Sequence, residues 1–304
     1  MGNHLCNNKT VEMPLERKNI STVVVHDINS SFLEISLKIT STNNKVFLIG
    51  NETVKYLEKY ENITFVDIDK YFKREKFKRY KEKFEHFGDD KEADKYYFWF
   101  MRILIIYEFM KDNNFDSIFS CDSDNILLNN INDYPFHSTN AICIPPVWEE
   151  YYFASSIHAG LITQEFCQNY EMLYEDIFIN KSKFNLIQNK LKHHESNPGG
   201  IADMTLYHFI VEMGLVQVQN LLEPVLYKGK PYIFINNLSS AEGYENKNQF
   251  KMKKGRIKIY TSKKTTSNMI YDVKNKNYYN LYNIHFQGSA KSLITPKLEN
   301  KLFF

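Results

Sequence analysis

Asp116-Ser117-Ile118-Phe119-Ser120-Cys121-Asp122-Ser123-Asp124-Asn125-Ile126-Leu127-Leu128 carries an apolar strand into two alternate aspartates and out into a second apolar run. A bare D-x-D is worth little, since 14 Asp in 304 residues make one unremarkable by chance, and the sequence holds another, Asp67-Ile68-Asp69. That pair runs into Lys70 and a charged stretch, so it reads as a strand end followed by a helix cap. Asp122 and Asp124 instead follow a buried strand, and ligands of open parallel sheets sit outside the carboxyl ends of strands. Two carboxylates so spaced can grip a hard divalent cation, with diphosphate oxygens and water completing its sphere. The alternative is an Asx turn at the strand end.

Upstream, Ser21–His26, Lys45–Ile49 and Ile63–Val66 read as further buried strands. Between them, Ser30–Thr40 and Val54–Tyr60 have helical apolar spacing, and Ala93–Lys111 reads as a long helix. Strands alternating with helices predict an α/β domain with a mostly parallel, Rossmann-like sheet. Downstream, Ala141–Ile144, His158–Thr163 and Pro231–Ile235 read as strands, Gln164–Ile177 and Asp203–Met213 as helices. Residues 245–280 are rich in Lys and Asn and read as exposed loops, before apolar alternation returns at Tyr279–Phe286. No repeat or linker divides the chain, so a single domain over 20–292 is expected, its halves being 20–135 and 136–292, with tails at 1–19 and 293–304.

Composition sets the class. The chain has 304 residues with 43% hydrophobic content, 23 Phe and 21 Tyr, which suits a packed globule and not a disordered chain. Lys+Arg number 38 against 36 Asp+Glu, a net charge of +2 that argues against a nucleic-acid binder. Four cysteines (Cys6, Cys121, Cys143, Cys167) form no C-x-x-C pair, which suits a reducing compartment. With no apolar leader in the first eighteen residues and no run of about 20 apolar residues, the expectation is a cytoplasmic protein.

A second constellation lies far downstream: His285-Phe286-Gln287-Gly288-Ser289-Ala290-Lys291. A histidine ending a strand, a glycine and a lysine three residues apart suggest an anion site, since glycine permits close backbone approach and lysine supplies a point charge. The alternative is a surface turn.

Together these motifs resemble GT-A glycosyltransferases. Strand and D-x-D at Asp116–Leu128, preceded by the helix with Trp99 and Arg102, resemble their metal-binding region, and H-F-x-G-x-x-K resembles the C-terminal motif of family 8. The resemblance implies that Asp122 and Asp124 bind Mn²⁺ or Mg²⁺, with Asp122 near the donor ribose, and that His285 completes the metal site. It implies that Gly288 and Lys291 cradle the diphosphate, that His26 and Asp27 hold the nucleoside, and that Arg102 reaches the nucleotide or Asp122. His158-Ala159-Gly160 resembles the segment approaching the donor sugar. Asp203, after Asn197-Pro198-Gly199-Gly200, resembles the carboxylate base of inverting enzymes, although it also suits a helix cap. Lys291 is followed by Ser292-Leu293 and not the Pro-Trp of family 8, so inversion is favoured over retention.

Lesser features complete the reading. Trp148 could stack on an acceptor sugar, and His193-His194-Glu195 has the composition of a metal cluster. Lys70–Phe84, with eight basic residues, reads as a helix packing one aromatic face, or as a basic patch on an anionic membrane near lipid-linked acceptors. The expected activity is metal-dependent transfer from a nucleotide-diphosphate sugar, a UDP-sugar first, to a glycan or lipid-linked hydroxyl. A sugar-nucleotide pyrophosphorylase is disfavoured because His26-Asp27-Ile28-Asn29 replaces a Gly-rich phosphate loop after the first strand. A non-catalytic binding module of the same fold is the third possibility.

Overall fold

The computed structural model describes residues 19–87, 93–147, 149–239, 249–261 and 267–298, so Trp148 and Cys6 lie outside the described residues. The first eight strands are β1 (Thr22–Val25), β2 (Val46–Gly50), β3 (Ile63–Asp67), β4 (Ser117–Cys121), β5 (Asn125–Leu127), β6 (Asn140–Cys143), β7 (Ser156–Thr163) and β8 (Val218–Asn220). Seven of them form one sheet in the order β3-β2-β1-β4-β7-β6-β8. Pairing is parallel except at β7, which runs antiparallel to β4 and β6. The expected α/β class with a mostly parallel sheet is therefore the one observed.

Both faces of this sheet are covered, as parallel sheets require. In β1, Val23 and Val25 point into one core while Val24 points into the other, the period-two alternation of a strand. The Val24 core includes Leu33 and Leu37 of α1 (Leu33–Ser41). The Val23 core is filled by α4 (Ala93–Asp112), α5 (Gln164–Tyr174) and α7 (Asp203–Glu212). Phe100, Met101, Ile103, Leu104, Ile105 and Ile106 of α4 are all buried, which makes it the central helix. Gly50 closes β2 where a Cβ would stand 2.4 Å from the His26 carbonyl oxygen, so only glycine lets the two strand ends meet there.

The basic stretch at 70–84 is two helices, α2 (Asp69–Phe72) and α3 (Glu75–Lys83), separated at Arg74, whose backbone is extended. Phe77 and Tyr80 are buried, the expected aromatic face. Its cations meet acids of the protein itself: Lys70 reaches Asp112 at 2.8 Å, Arg74 reaches Glu108 and Asp112, Lys76 reaches Glu108 at 2.5 Å and Glu171 at 2.7 Å, and Arg79 reaches Glu175. These four charges are matched from α4 and from the 164–179 segment, which fits the reading of a helical stretch packed on the protein by one face. Among the described residues, no helix is long and apolar enough to cross a membrane.

The remaining strands overturn the loop reading of 245–280. They are β9 (Val225–Tyr227), β10 (Lys230–Ile233), β11 (Met252–Lys253), β12 (Arg256–Ile257), β13 (Ile259–Thr261), β14 (Asn268–Asp272), β15 (Asn277–Leu281) and β16 (Asn283–His285). A five-stranded sheet runs β13-β14-β15-β10-β9 and shares a third core that includes Ile233, Ile270 and Leu281. Two-residue hairpins are usually signalled by Asn-Gly. Here Lys228-Gly229 and Lys254-Gly255 make them, with φ of 48° and 53° at the lysines, so polar composition conceals the turns. Tyr279–Phe286 is likewise not one strand: β15 joins this sheet, and β16 leaves it to pair antiparallel with β5. Past residue 292, Ile294 is buried in the same core.

Other boundaries shift locally. Glu52–Lys59 is a 3-10 helix capped by the Asn51 side chain, α5 gives way to a π-turn at Glu175–Ile179, and α6 (Asn185–His194) follows. Asp67 Oδ1 accepts the Asp69 N–H at 3.0 Å, the capping role expected of the first D-x-D.

Candidate metal and donor site

The second D-x-D is built where β4 ends. The Asp122 N–H donates to the His158 carbonyl at 2.9 Å, the Asn125 N–H closes a turn on the Asp122 carbonyl at 3.0 Å, and β5 begins. On β5 lies β16, with His285 opposite Asn125, and the Phe286 N–H donates to the Asp124 carbonyl at 2.9 Å. Buried amides must find partners, and these two find each other. Asn283 Nδ2 donates to Asn125 Oδ1 (2.8 Å), and Asn125 Nδ2 donates to the His158 carbonyl (2.7 Å). The network holds β4, β5, β7 and β16 in one register around two carboxylates and an imidazole.

Asp122, Asp124 and His285 each turn a ligand atom inward, and these atoms all lie within 4.8 Å of one another. Asp124 is 6% exposed and His285 6%. His285 Nδ1 lies in hydrogen-bond contact with the Asn236 carbonyl. A carbonyl only accepts, so Nδ1 carries a proton and Nε2 faces Asp124 Oδ1 at 3.5 Å. Metal-binding histidines are oriented in the same manner, with one ring nitrogen tied to a backbone carbonyl. Burial alone would raise the Asp124 carboxyl, but His285 and Lys291 outweigh it and hold its pKa far below the usual range. Burial would lower His285, and Asp124 outweighs that to raise it. Two carboxylates and one imidazole nitrogen form a hard-to-borderline donor set that fits Mn²⁺ or Mg²⁺.

Lys291 stands in a 3-10 helix, Gly288–Leu293, and its Nζ lies 3.0 Å from Asp124 Oδ2. Gly288 opens that helix at φ 60°, left-handed backbone that explains a glycine there. His26 Nδ1 and Ser123 Oγ are 2.9 Å apart, which ties the end of β1 to the residue between the two aspartates. Burial lowers the His26 pKa. The neighbouring Asp27 carbonyl accepts the Asn51 side-chain amide. His26, Asp27 and Gly288 therefore adjoin the site, though they do not line its cavity.

Arg102 sits on α4 between two carboxylates. Its Nη1 donates to Asp122 Oδ1 at 2.7 Å and its Nη2 to Asp203 Oδ2 at 3.1 Å. Burial would lower the guanidinium pKa, but Asp122 and Asp203 overcome this and raise it. Asp203 is the first residue of α7 and follows the cap position, which Ala202 occupies without a side-chain bond. Its Oδ1 accepts the Met204 N–H at 2.9 Å, and its Oδ2 also accepts the Tyr207 hydroxyl at 3.3 Å. Burial raises the Asp203 pKa despite Arg102.

These groups line a cavity of about 180 Å³ that includes Trp99, Arg102, Asp122, Asp124, His158, Asp203, His285 and Lys291. Gly160 does not line it. It is buried inside the sheet, where a Cβ would stand 3.3 Å from Ile157 and 3.4 Å from Ile142, so its small size serves packing. Sequence reasoning missed Asn236, Ser155, Ser156, Met204 and Gln287, all of which line the cavity. Asn236 acts through a backbone carbonyl, which any residue supplies. His193 and His194 pack against Tyr151 and Tyr152, and among the described residues they join no cluster able to hold a metal.

No family model matches the sequence, and no curated protein does. Solved structures do resemble it. Mouse xyloside xylosyltransferase 1 in its apo form is 12% identical, with 67% of this chain and 85% of that one covered and a TM-score of 0.45. The PaToxG glycosyltransferase is 10% identical (64% and 69% covered, TM-score 0.39), and the glycosyltransferase GlyE of Streptococcus pneumoniae is 14% identical (67% and 45% covered, TM-score 0.35).

Proposed function

We propose that the protein is a metal-dependent glycosyltransferase of the GT-A type, moving a sugar from a nucleotide-diphosphate donor, a UDP-sugar first, to a hydroxyl acceptor. The observation that carries this reading is the convergence of Asp122, Asp124 and His285 within 4.8 Å, beside a lysine on Asp124. A bound Mn²⁺ or Mg²⁺ would supply Lewis-acid stabilisation of the leaving diphosphate. Asp124 and His285 would hold that ion, and Asp122 would share in it. Lys291, whose Nζ lies 3.0 Å from Asp124 Oδ2, would supply a cation to the diphosphate oxygens. Arg102 keeps Asp122 oriented while its other arm holds Asp203.

Asp203 bears on stereochemistry. A base must present a free lone pair to the acceptor hydroxyl, and three of the carboxylate's four are engaged. Here Oδ1 accepts from Met204 and Oδ2 from Arg102 and Tyr207, and the residue is 3% exposed. This arrangement favours Asp203 as the anchor of Arg102 over the base expected from the sequence, and with it a front-face, retaining transfer in which the leaving phosphate takes the proton. The His285–Lys291 segment fits the same reading.

The test is UDP binding by calorimetry with Mn²⁺ and with EDTA, followed by a donor-hydrolysis screen across UDP-, GDP- and dTDP-sugars. UDP affinity should fall at least about a hundredfold in EDTA and in Asp124→Asn. Unchanged affinity in EDTA would sink the reading, and binding of UDP-sugars without turnover of any would favour a non-catalytic module.

A further inference from the structure

The chain's cations differ in what they face. Lys70 and Lys76 meet acids of the protein, whereas residues 249–298 carry eleven Lys and Arg against one acid, Asp272, which is fully buried. Among the described residues, no acid pairs with Lys251, Lys253, Arg256, Lys258 or Lys274. Strand alternation gathers the first four on one surface. In the β11–β12 hairpin, Met252 and Ile257 lie opposite each other on the third core, so Lys253 and Arg256, the next pair along, point away from it. Lys258 lies between Ile257 and Ile259, both on that core, and its N–H donates to the Lys251 carbonyl at 2.8 Å. In the five-stranded sheet, Ile259, Ile270 and Tyr279 face the same core, and their sequence neighbours Tyr260, Tyr271 and Tyr278 turn outward. The three rings meet there: the Tyr278 centroid is 5.3 Å from that of Tyr260 and 4.9 Å from that of Tyr271, and Tyr278 is 45% exposed. Lys258 Nζ sits 4.3 Å from the Tyr260 ring centroid, and the Lys251 N–H donates to the Tyr271 carbonyl at 2.9 Å. Hairpin and rings therefore form one continuous outward surface.

We propose that this surface docks the protein on an anionic phospholipid membrane. The proposal goes beyond the transfer reaction above and does not depend on it. Lys and Arg are drawn to anionic headgroups, while tyrosine rings settle at headgroup level with the ring toward the acyl chains and the hydroxyl in water. The cations are strung along a hairpin and do not converge on one point, which suits a charged plane and not a small anion. Single-stranded nucleic acid stacks its bases on open ring faces. Here Tyr260 and Tyr278 instead pack edge to face, their planes at 89°.

The experiment is co-sedimentation of the full chain with vesicles of phosphatidylcholine alone and of phosphatidylcholine and phosphatidylserine in equal parts. The protein should bind the second and not the first, and binding should weaken between about 0.15 M and about 0.5 M NaCl. The variant Lys251→Gln, Lys253→Gln, Arg256→Gln, Lys258→Gln should lose at least about a hundredfold in affinity, at roughly fivefold per cation. The same exchange at Lys73, Lys78, Lys81 and Lys83 should leave affinity within about threefold of the parent, because charges off the contact are screened. Circular dichroism confirms that both variants fold. If the first does not, Tyr278→Trp decides: its added emission should be quenched by a nitroxide held near the headgroups of the anionic vesicles. Equal binding to both vesicles, parent-like affinity in the first variant, or an unquenched tryptophan at 278 overturns the proposal. So does loss of binding in the second variant alone, which would return the contact to α2 and α3. Retention by single-stranded oligo-dT or heparin without any vesicle binding also overturns it, in favour of a soluble polyanion.

Discussion

His158 and His285 lie face to face, their ring centroids 4.1 Å apart and their planes 15° from parallel. His158 is fixed in turn by Ser156 Oγ at 2.9 Å and by Cys143 Sγ at 3.5 Å. Burial, and then the neighbouring His285, lower its pKa well below the ordinary value, so it stays neutral beside an imidazole that Asp124 raises. A neutral ring gives His285 a flat wall without like-charge repulsion.

His158→Ala should therefore weaken Mn²⁺ affinity about tenfold, the scale of losing a group that orients a ligand. His158→Phe keeps an aromatic wall and should stay within about threefold of the parent. Calorimetric titration of Mn²⁺ checks both, and parent-like affinity in the alanine variant would remove the positioning role.

Asp203→Asn keeps an oxygen for Arg102 and should lower kcat by less than about tenfold, with retention at the anomeric carbon read by NMR of the product. A fall of roughly 10²–10⁴ with normal donor binding, together with inversion, would restore Asp203 as the base.

Glu108 on α4 meets Arg74, Lys76 at 2.5 Å and Lys111 at 2.5 Å while only 6% exposed. Burial would raise its pKa, but Lys111 and Lys76 outweigh it and lower the value. Glu108→Gln should cost about 2 kcal/mol at pH 7, read from urea midpoints. Because the folded pKa is depressed, the carboxylate's contribution is present above about pH 4.3 and is lost as pH falls through the folded value, so parent and variant should converge in acid.

Lys190 on α6 is buried, donates to the Phe153 carbonyl at 2.8 Å, and sits 4.1 Å from the Phe153 ring centroid. Burial pushes its pKa down to about 8. Between that value and about 10.4 the unfolded chain holds the proton and the folded one does not, so stability rises with pH across the window. His194 and His208 also feel its charge, and His208 faces Glu212 at 3.5 Å. Lys190→Met should flatten a rise of about 3 kcal/mol, measured by urea unfolding at pH 7 to 10.5.

Legibility in the sequence followed how local each cause is. Val23 to Val25 announce β1 because strand burial alternates along consecutive residues. Asp122, Asp124, His285 and Lys291 were legible because the aspartate pair follows a buried strand and a second motif follows in the order the resemblance expects, and the structure brings them together. Gly160 packs inside the sheet and off the cavity, and sequence alone does not separate a small residue beside a ligand from one inside a sheet. The β9–β10 and β11–β12 hairpins were hidden because Lys228 and Lys254 adopt left-handed backbone where asparagine usually marks the turn. Asn236 left no trace, since it meets His285 through a backbone carbonyl that any residue supplies.

The pairing of β5 with β16 joins Asn125 to Asn283 across 158 residues of chain. Contacts so distant in sequence form late, since the intervening loop must close before they stabilise anything. A growing chain displays Asp122 and Asp124 long before His285 and Lys291 leave the ribosome. At about 5–20 residues per second that interval lasts many seconds. Through it, the nascent protein carries Asp122 and Asp124 without the imidazole and the ammonium that later face them, and the candidate site is complete only when β16 closes the fold.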